Sequence, residues 1–432
     1  MYRANIRWAE KTVQEQNEWR AKCLNLIASE QVMSRRARAV MGSDFCHRYA
    51  EGHPGERYYQ GTDKVDAIED KLKRLLRMLF QCVHTEVRAI SGTNANEAVF
   101  SSYIKHGDIV MVNSTPGGGH ISHQKTGTVG KYTTNVVSFP TVEHGYTIDV
   151  PKTRTLIRRI RPKLLVLGKS LFLLPEPIAE IRDLCDRYKI PLVYDAAHVL
   201  GLIAGKQFQQ PLKEGADIVV GSTHKTFFGS QRGLILSNLS NNEWKCIDKG
   251  AFPGSSSNHH LDTLPPLFIA TCEMLAFGEE YARQVVSNAQ ALAAALDKAG
   301  FAVQLKELGY TRSHQVAVDV SAQGGGAFVS SQLKENDIII NMNLLPHEPL
   351  ANHANPAGVR IGVQEMTRMG MKEPEMEQIA ELMAGATMRN QDVKAEVNKL
   401  RERFQTVAYS FDDEPNGGDK AHCATDRSAC VK

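Results

Sequence analysis

The 432-residue sequence predicts an α/β protein in which a large domain built on a mostly parallel sheet is followed by a smaller C-terminal α/β domain. Three observations lead there. First, DIVMVN (108–113), KLLVLG (163–168), IPLVYD (190–195) and ADIVVGST (216–223) are short apolar runs rich in β-branched residues, the pattern of strands buried on both faces. Second, PIAEIRDLCDRY (177–188) carries helical spacing between two of these runs, and alternating strands and helices make parallel crossovers. Third, the pattern changes from about Leu267: Phe277, Tyr281, Val285, Leu292 and Leu296 recur at helical spacing and stop at Gly300, a C-terminal cap. HQVAVDV (314–320) and DIIINMN (337–343) then read as strands, and an amphipathic helix of about thirty residues begins near Glu373. The expected organisation is an N-terminal arm (1–30), a large domain (31–275), a small domain (276–411) and a disordered polar tail (412–432).

Composition excludes more than it identifies. Apolar residues are 42% and charged residues 23%, and 51 basic against 48 acidic residues leave a formal charge of +3, so neither a nucleic-acid nor a membrane partner is expected. No apolar run spans a bilayer and the first twenty residues are polar, which places the chain in the cytoplasm. The eight cysteines show no C-x-x-C and no His/Cys cluster, so they read as free thiols, with no metal site and no disulfide framework.

In a parallel sheet, ligands sit beyond the carboxyl ends of the strands. SGTNANEAVFSSYI (91–104) opens a helix with small residues, and Ser91, Gly92 and Thr93 suit a phosphate at its N-terminus, although most such starts are ordinary turns. Asp195 ends a central strand, with His198 three residues on. A carboxylate there is commonly a cap or a core acceptor; alternatively it keeps a proton on a heterocyclic nitrogen, as the ring of pyridoxal phosphate requires. Lys225, beside His224 in GSTHKTFFG, is by default a surface lysine. At the sheet's carboxyl edge it can form a Schiff base with an aldehyde cofactor. Phosphate cradle, ring-nitrogen acid and lysine, in that order, fit one cofactor. The loop HRYAEGHPGERYYQGTD (47–63) is explained by turns alone, yet Tyr49, Glu51, Arg57, Tyr58 and Tyr59 also supply the proton carriers of an aldol-type cleavage. Arg360, inside the apolar GVRIG, needs a carboxylate partner, either from the protein or from an amino-acid substrate.

These segments resemble the serine hydroxymethyltransferase family, in its archaeal-type branch. The likeness runs from about Asn25 to Met371 through NLIASE, HRYAEGHPGERYY, SGTNAN, GGGHISH, YDAAHVLGLIAG, GSTHKTFFG, NMNLLP and GVRIG, in the family's order. It implies the aspartate aminotransferase-like fold type I of pyridoxal-phosphate enzymes, a homodimer with shared active sites, and pyridoxal 5'-phosphate held covalently on Lys225. Asp195 would protonate the ring nitrogen and His120 stack on the ring. Ser91, Gly92 and Thr93 would bind phosphate, Tyr49 would reach the neighbouring subunit's cofactor, and His198 and His224 would flank it. Ser34 and Arg360 would take the substrate carboxylate. Glu51, aided by Tyr58 and Tyr59, would be the acid/base, and Asn343 would contact the pterin. The implied reaction interconverts serine, or α-methylserine, and glycine, or alanine, with tetrahydrofolate or another tetrahydropterin as one-carbon acceptor. The alternative is a pterin-independent threonine aldolase or transaldolase. Two departures stand out. GSSSNHHLDTLPP (254–266) replaces a glycine-rich segment, making Ser255, Ser256 and Ser257 candidate donors, and Lys169 adds a charge to the pocket wall.

Overall fold

A computed structural model describes residues 1–412; the tail expected over 412–432 lies, apart from Asp412, outside the described residues. The large sheet has seven strands: β1 (His84–Glu86), β2 (Val110–Val112), β3 (Val136–Ser138), β4 (Leu164–Leu167), β5 (Leu192–Asp195), β6 (Ile218–Ser222) and β7 (Gly233–Ser237). Their order is β1-β7-β6-β5-β4-β2-β3. Every pairing from β6 to β3 is parallel, and β7 alone runs antiparallel to both neighbours. Alternation decides which residue faces which layer. Val110, Val112, Leu164, Val166 and Val193 pack into one apolar cluster, while Met111, Leu165, Leu167, Leu192 and Tyr194 pack into another on the opposite face. With both faces buried, the strands read as continuous apolar runs, and all four strands expected from such runs are present.

The helix Leu264–Lys298 runs unbroken through the 275/276 boundary expected between domains, and Gly300 follows its end at φ +98°. The second sheet, β8 (Ala302–Val303), β9 (Gln315–Asp319), β10 (Asn341–Asn343) and β11 (Gly358–Gly362), is antiparallel in the order β8-β9-β11-β10. Residues 337–343 do not form one strand. Ile338–Ile339 pairs in parallel with Leu24–Asn25, tying the N-terminal arm to the small domain, and only Asn341–Asn343 joins the second sheet. The long helix expected from Glu373 is two, Glu373–Met388 and Lys394–Glu402. The break follows from the polar turn between them, where Asn390 takes a left-handed φ of +51° and the Gln391 N–H bonds Gly385 O at 2.9 Å. No described helix is long and apolar enough to cross a membrane.

Candidate active site

The parallel order brings the carboxyl ends of β4, β5 and β6 to one edge, where the helix Gly92–Tyr103 also begins. There a cavity of about 260 Å³ is lined by Ser91, Gly92, Thr93, His120, Asp195, His198, His224 and Lys225, eight of the residues singled out in the sequence. Asp195 is its buried anion. One carboxylate oxygen accepts from Asn96 Nδ2 at 2.8 Å and His123 Nε2 at 2.9 Å, and the other from the Ala197 N–H at 2.9 Å. Burial opposes ionisation, but the bonds from His123 and Asn96 outweigh it and hold the carboxyl well below its usual range. Asp195 is therefore an ionised acceptor at the cavity wall.

Lys225 Nζ makes no hydrogen bond or ion pair among the described residues. Burial pushes its pKa down to about 8 against the pull of Asp195, so far more of the amine is neutral and nucleophilic near neutral pH than in an ordinary lysine, about a tenth at pH 7. Ser91 caps the helix, its Oγ accepting from Asn94 N at 3.1 Å. A Cβ on Gly92 would fall 2.3 Å from Ser222 Oγ, so the glycine keeps the helix start close to the sheet end. Free helix N-terminal amides, an ionised carboxylate and an unpaired amine around one cavity fit the phosphate, ring nitrogen and aldehyde of pyridoxal phosphate.

A second cavity of about 410 Å³ adjoins the first, sharing His120, Ser170, His198 and Lys225 and adding Ser29, Asn343, His353 and Arg360. Arg360, in the middle of β11, is 8% exposed. Its Nη1 donates to Ser170 O at 2.7 Å, and Nε and Nη2 share Asn341 Oδ1 at 3.2 Å each. Burial pushes its pKa down to about 10, and among the described residues no carboxylate pairs with it. Of the two partners expected from the sequence, the protein carboxylate is thus absent.

His120 and His198 stand between the cavities. Burial lowers the His120 pKa to about 4 and holds His198 far below the ordinary imidazole value, so both rings are neutral. His224 is likewise lowered to about 4 by burial, and its Nδ1 is buried without a partner.

Several expected residues lie elsewhere. Ser34 does not line either cavity: its Oγ accepts from Ala37 N at 3.2 Å and caps the short helix Arg35–Ala39, while Ser29 stands on the wall with Arg360. Arg57, singled out in the 47–63 loop, is held in the large domain by Asp66 at 2.8 Å and buried Glu69 at 2.6 Å. Ser255 and Ser256 turn their hydroxyls onto Ala251 O. The charge of Lys169 is met by Glu176 at 2.8 Å, with both side chains buried. Tyr49, Glu51, Tyr58 and Tyr59 line neither cavity of their own chain. They form a group instead, with Tyr59 Oη donating to Glu51 at 3.3 Å and packing 5.5 Å from Tyr49, and Tyr49 and Tyr58 are 53% and 76% exposed. Sequence reasoning missed Ser29, Asn96, His123 and Ser170. His123 lies within GGGHISH, three residues after His120, and that spacing was the available signal.

Fold and site together define a pyridoxal-phosphate enzyme of fold type I. Residues 7–383 match the serine hydroxymethyltransferase family. The chain is 45% identical to a serine hydroxymethyltransferase from Methanosphaera stadtmanae, over 96% of this chain and 99% of that one. It is 49% identical to one from Archaeoglobus fulgidus, over 90% and 89%. Among solved structures, an L-threonine transaldolase from Pseudomonas fluorescens superposes with a TM-score of 0.87 at 29% identity, covering 95% of this chain and 94% of that one. The chain belongs to the serine hydroxymethyltransferase family.

Proposed function

We propose that the chain interconverts serine, or α-methylserine, and glycine, or alanine, with tetrahydrofolate or another tetrahydropterin as one-carbon acceptor. The observation that carries this reading is the pair of adjoining cavities, one holding an unpaired lysine amine and the other a buried guanidinium without a carboxylate. Lys225 would hold pyridoxal phosphate, with Ser91, Gly92 and Thr93 at its phosphate, Asp195 at its ring nitrogen and His120 against its ring. So bound, the cofactor supplies a sink for the electron pair left on the α-carbon when the hydroxymethyl carbon departs. Arg360 and Ser29 orient the amino acid by its carboxylate. Neutral His198 donates toward the site rather than carrying charge into it. Asn343, on the wall of the second cavity, contacts the pterin.

The proton of the substrate hydroxyl needs a carrier within reach. We assign it to Glu51 with Tyr59, supplied with Tyr49 and Tyr58 by a second copy of the chain, whose exposed group completes the site. The test is a panel of serine, α-methylserine and threonine, with and without tetrahydrofolate. Serine or α-methylserine turnover that depends on tetrahydrofolate is the expected result. Rapid threonine cleavage with an added aldehyde, together with serine turnover indifferent to tetrahydrofolate, would overturn it in favour of the transaldolase-type activity.

A further inference from the structure

His198 touches both cavities, and which of its nitrogens carries the proton decides what it can do there. The answer lies in Gln315, the first residue of β9, which reaches from the small domain to the end of the large sheet. Both ends of its amide are read by backbone groups. The Phe172 N–H donates to Oε1 at 2.7 Å, and Nε2 donates to Ser170 O at 3.0 Å. Exchanging the amide's nitrogen and oxygen would set donor against donor and acceptor against acceptor, so its orientation is determined. The second hydrogen of Nε2 then points to His198 Nδ1, 2.9 Å away. Nδ1 must accept, and the imidazole proton must sit on Nε2. The 3.3 Å approach of Gln315 Nε2 to His314 Nε2 brings two donors together and is no bond, because His314 Nε2 donates to Ala28 O at 3.1 Å.

We propose that Gln315 is a positioning residue that holds His198 as the neutral Nε2–H tautomer, a fixed hydrogen-bond donor to the bound cofactor or substrate. This rests on the function proposed above for the site. The same Ser170 carbonyl also accepts from Arg360 Nη1 at 2.7 Å, so the donor on His198 and the carboxylate fork on Arg360 are registered against one backbone atom. The charged and titratable groups facing His198 are Lys225, Arg360, His314 and His120, with His314 stacked 5.8 Å from it. Each would repel an imidazolium when protonated, and no carboxylate among these neighbours counters them.

The test uses the holoenzyme labelled with nitrogen-15 in histidine, with the signals of His198 identified from a His198→Asn variant. The parent enzyme should show His198 protonated on Nε2 alone and not titrating between about pH 6 and 9. In Gln315→Glu the carboxylate accepts from Nδ1–H, so the proton should move to Nδ1 or the ring should become cationic, adding an ionisation to the pH profile of kcat/KM. In Gln315→Leu, should the glutamate variant not fold, His198 should populate both tautomers and kcat/KM should fall about tenfold, the effect of one lost hydrogen bond. An unchanged Nε2–H tautomer and pH profile in either variant would overturn the proposal. The ring signals are read without substrate, so they stand or fall independently of which reaction the substrate panel reveals.

Discussion

Arg360 offers a sharp test because a ligand-binding guanidinium and a structural one respond oppositely to removal. Burial pushes its pKa down to about 10, a penalty on the order of 3 kcal/mol on the cation that is fully present at neutral pH. Replacing it with methionine lifts that penalty and forfeits one short charge-assisted bond, to Ser170 O, worth about 2 kcal/mol, and two long ones that share Asn341 Oδ1, worth about 1 kcal/mol together. The two nearly cancel. Stability should change by about 1 kcal/mol, a Tm shift of only about 1 °C in a chain of this length. Binding should not survive so well. A carboxylate that loses two charge-assisted bonds loses about 3–6 kcal/mol, or roughly two to four decades of affinity. Arg368 is the internal control, for it pairs with Glu273 at 2.6 Å and both are wholly buried. Arg368→Met strands that carboxylate and should cost about 3–5 kcal/mol. The assays are thermal denaturation and titration of the holoenzyme's absorbance with glycine. If Arg360→Met bound glycine as the parent does, or unfolded as readily as Arg368→Met, the assignment of the substrate carboxylate would be wrong.

Three other outcomes follow from the geometry. Glu176→Gln leaves Lys169 buried without its counter-ion and should cost about 3–5 kcal/mol, whereas the Lys169→Met/Glu176→Met double variant should regain most of it, measured by denaturant unfolding. Gly168→Ala should destabilise by about 2 kcal/mol or more in the same assay, because φ is +121° and the new Cβ would lie 2.3 Å from Asp195 O. Lys225 has its pKa lowered to about 8, so its amine is cationic below that pH and neutral above it; reconstitution of apoenzyme with pyridoxal phosphate should accelerate as pH rises through about 8, and a rate that is flat or falling there would contradict the depressed pKa.

The sequence made the centre of the site legible because its residues follow strands that announce themselves. Asp195 ends one run buried on both faces and Lys225 lies three residues past another, and Arg360 is conspicuous as a charge inside such a run. The antiparallel β7 (GLILS) was not recognised, since a five-residue apolar segment between turns carries no sign of its direction. Ser34 and Ser29 lie five residues apart in one loop, and only the fold shows that the first caps a helix while the second meets Arg360. Asn96 and Gln315 carried no local signal, and His123 only its spacing from His120, for a different reason. Their roles rest on bonds to other side chains, Asp195 and His198, and those contacts join residues 72, 99 and 117 positions apart. Local pattern finds what a strand end presents; the layer behind it is set by topology.

The acid/base loop shows the same limit from the other side. Neither cavity is lined, among the described residues, by any carboxylate other than Asp195, which is already committed to Asn96, His123 and the Ala197 N–H. In the function proposed above, the carrier of the substrate hydroxyl proton is a carboxylate brought by a second copy of the chain. The form of the loop carrying Glu51 suits that role. Arg57 fixes it from within through Asp66, Glu69 and the carbonyls of Ala50 and Gly52, while Tyr49, Tyr58 and Tyr59 stay exposed. A rigid base with an exposed aromatic tip can complete a neighbour's cavity without an ordering cost at each turnover. Complementation makes this testable. Glu51→Gln and Lys225→Ala variants should each be inactive, and subunit exchange between them should restore about a quarter of the parent activity, since half the dimers are mixed and each mixed dimer has one intact site. Were Glu51 to act within its own chain, every mixed dimer would hold two broken sites, and no activity would return.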